Sequence, residues 1–285
     1  MLIPADVPTH AHHEFCSNYF ALTKGTDRLF LFAADHKIEH LDTDFYGPHI
    51  DPEAHHPTHL FSIAQHAWIG AFATQLGLAA RYGKNHPSIQ YIIKLNSKTN
   101  TVPLHLQDPM SNQLWSVDDV IAFKRSSGFS IRGIGLTIYL GSTYEGAMLA
   151  QAAQAIYQAH QHGLITLLWI YPRGKALAAT SEESLLPGAA GIATALGADF
   201  VKIHPPHPGK GESPETLLPL IHQAAGNTKV IYAGGAASES HQLLHTIEMQ
   251  LSLGSSGVAI GRNIYQHSLH DALRLSQDIS RLVYE

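Results

Sequence analysis

Lys202 sits near the end of the short apolar run Ala198-Asp199-Phe200-Val201-Lys202-Ile203. Lysine is costly to bury, so a lysine on a core strand is usually there for chemistry. Burial and cationic neighbours lower its pKa, and the neutral amine can then attack a carbonyl carbon. The preceding apolar segment, Leu167-Leu168-Trp169-Ile170-Tyr171-Pro172-Arg173-Gly174, carries an indole, a phenol and a guanidinium in alternating positions. An isolated strand-end lysine more often only snorkels to solvent. With this neighbouring segment, the pattern points to a Schiff-base enzyme acting on an anionic carbonyl compound.

Strands must aim these residues, and apolar runs alternate with helical stretches along most of the chain. The runs are Arg28–Ala34, Ala71–Thr74 (the weakest, since Ile63–Tyr82 also reads as helix), Ser88–Asn96, Gly133–Tyr139, Ile165–Ile170, Phe200–Ile203, Lys229–Ala233 and Gly257–Ile260. Helical periodicity covers Glu145–His162, Ser181–Leu196, His241–Leu253 and His270–Leu282. Near-continuous apolar strands between helices indicate a parallel sheet. Eight such units in this length predict a (β/α)₈ TIM barrel, with an open doubly wound sheet as the alternative. Residues 1–285 read as one barrel domain, with 1–25 an irregular N-terminal arm.

Function in such barrels gathers at the C-terminal strand ends. The polar residues fall there: Asp35 and His36, Lys94 and Asn96, Tyr139, the Trp169–Arg173 group, and Lys202. Ala233-Gly234-Gly235 and Gly261-Arg262 follow the seventh and eighth runs. Barrels often bind phosphate at these two turns, where glycine lets backbone N–H groups approach an anion and Arg262 could add charge. Tight turns also favour glycine, but the coincidence of both sites favours phosphate.

Composition narrows the partners. The 285 residues are 45% apolar and 14% charged, with a net charge of −5. That gives no basic footprint for nucleic acid. The single cysteine, Cys16, forms no intramolecular disulfide and suits a reducing cytoplasm. Neither a signal-peptide pattern nor an 18-residue apolar stretch occurs, so no membrane insertion is expected. The 21 histidines cluster at His10, His12 and His13 and at His55, His56 and His59. Without cysteine partners or an H-E-x-x-H helix, they read as solvated surface rather than a zinc site. No metal or cofactor is expected.

In order along the chain come Ala34-Asp35-His36-Lys37-Ile38-Glu39-His40, Lys94-Leu95-Asn96-Ser97-Lys98-Thr99 and Leu136-Thr137-Ile138-Tyr139-Leu140-Gly141-Ser142. Trp169–Gly174, Val201-Lys202-Ile203, Ala233–Gly235 and Gly261-Arg262-Asn263-Ile264-Tyr265-Gln266 follow. Over roughly residues 28 to 270 this set resembles the archaeal-type class I fructose-bisphosphate aldolases. The resemblance implies that Lys202 forms the Schiff base and that Tyr171 donates and accepts the proton, with Asp35 assisting. It implies that His36, His40, Trp169 and Arg173 line the substrate pocket. Ala233, Gly234, Gly235, Gly261 and Arg262 would hold a substrate phosphate. It further implies a glycolytic and gluconeogenic enzyme that forms large homo-oligomers.

Three departures stand at the substrate mouth. Lys37 replaces a glycine usual in the family, Leu41–Tyr46 intervenes before Gly47-Pro48, and His204 replaces a basic residue two positions after the Schiff-base lysine. The expected reaction is reversible cleavage of fructose 1,6-bisphosphate. The alternatives are a family member acting on another phosphorylated keto compound, and a catalytically dormant sugar-phosphate binding protein.

Overall fold

A computed structural model describes residues 1–179, 182–206, 213–235 and 238–285. Eight strands form a closed barrel: β1 Leu29–Ala33, β2 Ala71–Gln75, β3 Tyr91–Lys94, β4 Ile131–Leu140, β5 Ile165–Pro172, β6 Phe200–Ile203, β7 Lys229–Ala233 and β8 Gly257–Ile260. Each pairs in parallel with the next, and β1 closes on β8 with Leu29 opposite Gly257. The expected TIM barrel is therefore the observed fold. All residues of β1, β2, β3, β6 and β8 are buried, so the apolar runs face barrel interior and helix shell alternately. The expected third strand stops at Lys94; Asn96–Ser97 leaves the barrel and pairs antiparallel with Asn112–Gln113.

The N-terminal arm departs from expectation. His12–Thr23 is a twelve-residue helix, not irregular chain. Phe15, Tyr19 and Leu22 recur on its buried face and pack with Leu29, Leu31, Ile165 and Phe200. The helix thereby plugs the N-terminal end of the barrel. The histidine clusters are also more structured than expected: His12 and His13 lie on this helix. His59 is buried in the helix Pro57–His66, with Nε2 3.1 Å from the Tyr265 carbonyl oxygen. Burial is compatible with its polarity because that bond and Glu53, 3.5 Å from Nδ1, occupy both ring nitrogens. His10, His13 and His56 are exposed, as expected.

The expected helices appear as Glu145–Gln161, Leu186–Ala195, Ser240–Ser252 and Leu269–Tyr284. Ser181, the expected start of the second, lies outside the described residues, as do His207–Gly211. The helices Val117–Ser127 and Pro214–Ala225 complete the shell. Ser116 and Asp119 form a reciprocal capping box at the start of the first of these.

A polar clamp holds the plugged end. Asp199 accepts from the backbone N–H and hydroxyl of Thr166 at 2.7 and 2.9 Å, tying β6 to β5. Its Oδ2 also lies 3.2 Å from His160 Nε2, and His160 Nδ1 lies 2.8 Å from Asp6. Burial disfavours the charged imidazole, yet the two carboxylates outweigh it and raise the His160 pKa. A raised folded-state pKa contributes stability that is present at low pH and lost as pH rises through that pKa. Asp6→Asn should therefore lower Tm by a few degrees near pH 6, corresponding to about 1 kcal/mol for a partly exposed charged hydrogen bond. The loss should shrink at pH 9, as read by thermal denaturation at the two pH values.

Candidate active site

Parallel strands in register place the functional side chains at one end of the barrel. Asp35 follows β1, and Gln75 at the end of β2 fixes its carbonyl with a 2.8 Å hydrogen bond. Trp169 and Tyr171 are two residues apart on β5, so they face the same way. Trp169 is the cross-strand partner of Lys202 on β6. Gly135 on β4 makes room for the indole, since a Cβ there would collide with the Trp169 ring. Lys202 Nζ stands 5.8 Å from the centre of that ring.

Every residue given a role lines one cleft: Lys202, Tyr171 and Asp35, then His36, His40, Trp169 and Arg173, then Ala233, Gly234, Gly235, Gly261 and Arg262. Asn96 and Tyr139, also at strand ends, do not: Asn96 bonds the Thr137 backbone instead. Lys94, Glu39, Thr137, His204 and Ala259 line the cleft too. Lys94 had been visible as a strand-end lysine, but its partner was not: Nζ is 2.8 Å from Asp35 Oδ2, and both groups are buried. Glu39 accepts a 3.2 Å hydrogen bond from the Tyr139 hydroxyl.

Burial dominates the electrostatics. It pushes the Lys202 pKa down, Asp35 and Glu39 pull it back, Lys94 and Arg262 push it down again, and it settles at about 8. Burial would raise the Asp35 pKa, but Lys94, His36 and Lys202 hold the carboxyl well below the usual range. Burial pushes His36 down to about 4, so its ring is neutral near pH 7. His36 Nδ1 is buried without a hydrogen-bond partner among the described residues, at the wall of the cleft. Burial, then Asp35 and Glu39, raises the Tyr171 pKa well above that of a free phenol. The cleft thus presents a readily deprotonated amine, an ionised carboxylate, a neutral imidazole and a protonated phenol. Those are the parts required for carbonyl attack and proton transfer.

The two glycine turns are built differently. The Gly234 N–H is already bonded to the Ala259 carbonyl at 3.1 Å, so it is not an available anion donor. Its lack of a side chain is steric, because a Cβ would lie 2.6 Å from Ile260 Cδ1. Gly235 has φ +72° and nothing within 4 Å of where a Cβ would stand. At Gly261 a Cβ would come within 2.6 Å of His36 Cε1. Arg262 donates to the Gly235 carbonyl at 3.0 Å and lies 3.9 Å from Asp44, so one guanidinium joins the two turns.

The departures at the mouth have structural roles. Lys37 Nζ stands 3.5 Å over the Phe45 ring, and Phe45 stacks on Tyr265 at 5.0 Å. Asp44, in the same inserted stretch, lies 2.6 Å from His40 Nδ1 and accepts from the Tyr265 hydroxyl at 3.2 Å. The insertion therefore ties the loop after β1 to the turn after β8. His40 caps the short helix His36–Glu39, and its ring lies 5.1 Å from that of His36. The His204 ring packs 4.7 Å from that of Tyr171. Among the described residues, no group of three or more His, Cys, Asp or Glu is arranged to hold a metal ion.

Comparison with known proteins supplies a family. Residues 29–267 match the model of DeoC/LacD family aldolases. A Methanocaldococcus jannaschii protein named fructose-bisphosphate aldolase/6-deoxy-5-ketofructose 1-phosphate synthase is 44% identical over 99% of this chain and 90% of its own. The structure of a fructose-bisphosphate aldolase from Slackia heliotrinireducens superposes with a TM-score of 0.96 at 44% identity, covering 100% of this chain and 90% of that one. An archaeal fructose-1,6-bisphosphate aldolase, its catalytic lysine covalently bound to the carbinolamine intermediate, superposes at 0.80 with 27% identity over 95% and 100% of the two chains.

The amine supplies the test of this electrostatic description. Acylation of Lys202 by a small amine reagent, followed by peptide mass spectrometry across pH, should have its midpoint near pH 8. An exposed lysine titrates near about 10.4. A Lys202 midpoint near the exposed value would contradict the description.

Proposed function

The chain belongs to the DeoC/LacD aldolase family, and on that premise we propose that it cleaves fructose 1,6-bisphosphate reversibly through a Schiff base on Lys202. The observation that carries this reading is a buried lysine on a core strand whose amine shares one cleft with the Asp35 carboxylate and the Tyr171 phenol.

In this mechanism the neutral Lys202 amine attacks C2 of the open-chain ketose to give a carbinolamine. Tyr171, protonated at rest, donates to the departing hydroxyl, and loss of water leaves an iminium. Asp35 or the resulting Tyr171 phenolate takes the C4 hydroxyl proton. The C3–C4 bond breaks, its electrons pass into the iminium, and glyceraldehyde 3-phosphate leaves. The enamine is protonated at C3, and water hydrolyses the regenerated iminium to dihydroxyacetone phosphate and the free amine. The iminium is the electron sink, so no step calls on a metal. His36, His40 and Arg173 orient the sugar, Trp169 forms an apolar wall, and the turns at Ala233–Gly235 and Gly261–Arg262 receive a phosphate. The engaged Gly234 N–H shifts the donor role toward Gly235, Gly261 and Arg262.

A second reading keeps Lys202 and changes the carbonyl partner. It is favoured by the double name of the Methanocaldococcus jannaschii relative, which includes a 6-deoxy-5-ketofructose 1-phosphate synthase. A dormant sugar-phosphate binder is disfavoured, because holding a lysine in the core serves catalysis and not binding. The same reading gives the enzyme a place in glycolysis and gluconeogenesis, as a cytoplasmic homo-oligomer. No helix among the described residues is long and apolar enough to cross a membrane.

A turnover panel tests the reading. The protein should release both triose phosphates from fructose 1,6-bisphosphate, with EDTA leaving the rate unchanged; failure with every phosphorylated ketose would leave only the binder. Tyr171→Phe removes a proton-transfer group and little binding area. It should reduce kcat by about 10²–10⁴-fold with a modest change in KM. A near wild-type rate would transfer the role to Asp35 or another group.

The phosphate turn has its own test. Gly235→Val forces a β-branched side chain into positive φ, a strain of roughly 1–3 kcal/mol that relaxes by turning the backbone. KM for the phosphorylated ketose should then rise strongly, while a non-phosphorylated ketose changes little. Equal harm to both substrates would make the glycine purely structural.

A further inference from the structure

Where β3 leaves the barrel, β4 loses its neighbour on that edge. The ladder between them ends where the Leu95 N–H donates to the Gly135 carbonyl at 2.8 Å. The next N–H and C=O on that edge of β4 belong to Thr137. One side-chain amide takes the place of the missing strand. Asn96 Oδ1 accepts from the Thr137 N–H at 2.7 Å, and Asn96 Nδ2 donates to the Thr137 carbonyl at 2.8 Å and to the Ser111 carbonyl at 3.2 Å.

The residue held in this way has no partner for its side chain. Ile134, Leu136 and Ile138 pack in one cluster with the helix residues Ala152 and Ile156. Gly135 and Thr137, which alternate with them, therefore face the barrel interior. Thr137 lines the cleft and is fully buried, and its Oγ1 has no hydrogen-bond partner among the described residues. A buried hydroxyl left unpaired costs folding free energy. His36 and Trp169 are the other residues of the cleft wall that bury an unpartnered polar atom. Both have places in the reading above, and Thr137 has none.

Register indicates which part of a substrate would meet this hydroxyl. Thr137 lies opposite Trp169, and Trp169 lies opposite Lys202, so Thr137 and the amine flank one indole. The phosphate turns follow β7 and β8, on the other side of Lys202. A ketose with its C1 phosphate on those turns and its C2 bonded to the amine extends from C2 toward β5 and β4. The first polar group on that side is the C3 hydroxyl. From this geometry we propose that Thr137 is a further catalytic residue, whose hydroxyl hydrogen-bonds the C3 hydroxyl of the bound ketose. The bond turns C3 so that the C3–C4 bond stands across the plane of the iminium, the orientation in which its electrons can enter that group. The inference rests on the Schiff-base reading of Lys202 and on the phosphate turns, and adds the contact that orients the breaking bond.

Two ketones isolate the C3 hydroxyl. Dihydroxyacetone phosphate carries it, and hydroxyacetone phosphate lacks only that oxygen. Each is titrated against the protein with borohydride present, and the Lys202 adduct is quantified by peptide mass spectrometry to give a half-saturating concentration. The unsubstituted protein should need at least about tenfold less dihydroxyacetone phosphate than hydroxyacetone phosphate. Thr137→Val keeps the shape and removes the hydroxyl. It should raise the dihydroxyacetone phosphate value about tenfold and leave the hydroxyacetone phosphate value within about twofold. Thr137→Ser should retain the preference. Because the hydroxyl is unpaired without substrate, the Tm of ligand-free Thr137→Val should be no lower than that of the unsubstituted protein. A lower Tm would reveal a structural partner and count against the proposal. Equal weakening of both ketones, or of neither, would overturn it. If the unsubstituted protein forms no adduct with either ketone, the Schiff-base reading itself falls, and the proposal with it.

Discussion

Burial of the Lys202 amine penalises its charged form, and the top of the barrel is organised around that penalty. Lys202 is 4% exposed, yet its amine stands among two carboxylates and two other cations. Its neighbours therefore set how readily the ammonium loses its proton. The neighbours come from three places, the loop after β1, the end of β3 and the turn after β8, so the balance holds only while the barrel is closed in the correct register. A slip of one residue on β6 would turn the lysine to the other face of the sheet.

Stability and chemistry occupy opposite ends of this fold. At the N-terminal end, the helix His12–Thr23 fills the barrel opening with Phe15, Tyr19 and Leu22, and Asp199 and His160 tie β5, β6 and the arm together. At the C-terminal end, polar groups that would destabilise a core are offset in pairs: Lys94 with Asp35, Tyr139 with Glu39, and His40 with Asp44. A pair buried on both sides, as Lys94 with Asp35 is, is costly to assemble and is weak evidence of stabilisation. The Nδ1 of His36, without a partner among the described residues, breaks that pattern.

Much of this was legible in sequence. Runs such as Phe200–Ile203 and Gly257–Ile260 are buried on both faces, so continuous apolarity marked them as strands of a parallel sheet. Ala71–Gln75 was faint because its two alanines favour helix over strand, and Ile63–Tyr82 read equally as helix; that stretch is in fact the end of one helix, β2 and a second helix. The plug helix was missed although Phe15, Tyr19 and Leu22 lie four and three residues apart, because histidines and polar residues around them suggested a solvated arm. Most cleft residues were legible from their strand ends, His40 only through the family resemblance, and Glu39, Thr137 and Ala259 not at all. Their pairings were not, because Lys94 and Asp35 are 59 residues apart and only register brings them together. The engaged Gly234 N–H was equally invisible, since glycine in a turn does not disclose where its hydrogen bond goes.

The central claim is covalent, and the most direct measurement is chemical trapping. Borohydride added during incubation with fructose 1,6-bisphosphate or dihydroxyacetone phosphate would reduce an iminium to a stable secondary amine, which peptide mass spectrometry can locate. The account predicts a single adduct on Lys202 that depends on the ketose phosphate and persists in Tyr171→Phe. An adduct on Lys94 or another lysine, or none with any ketose phosphate, would contradict it.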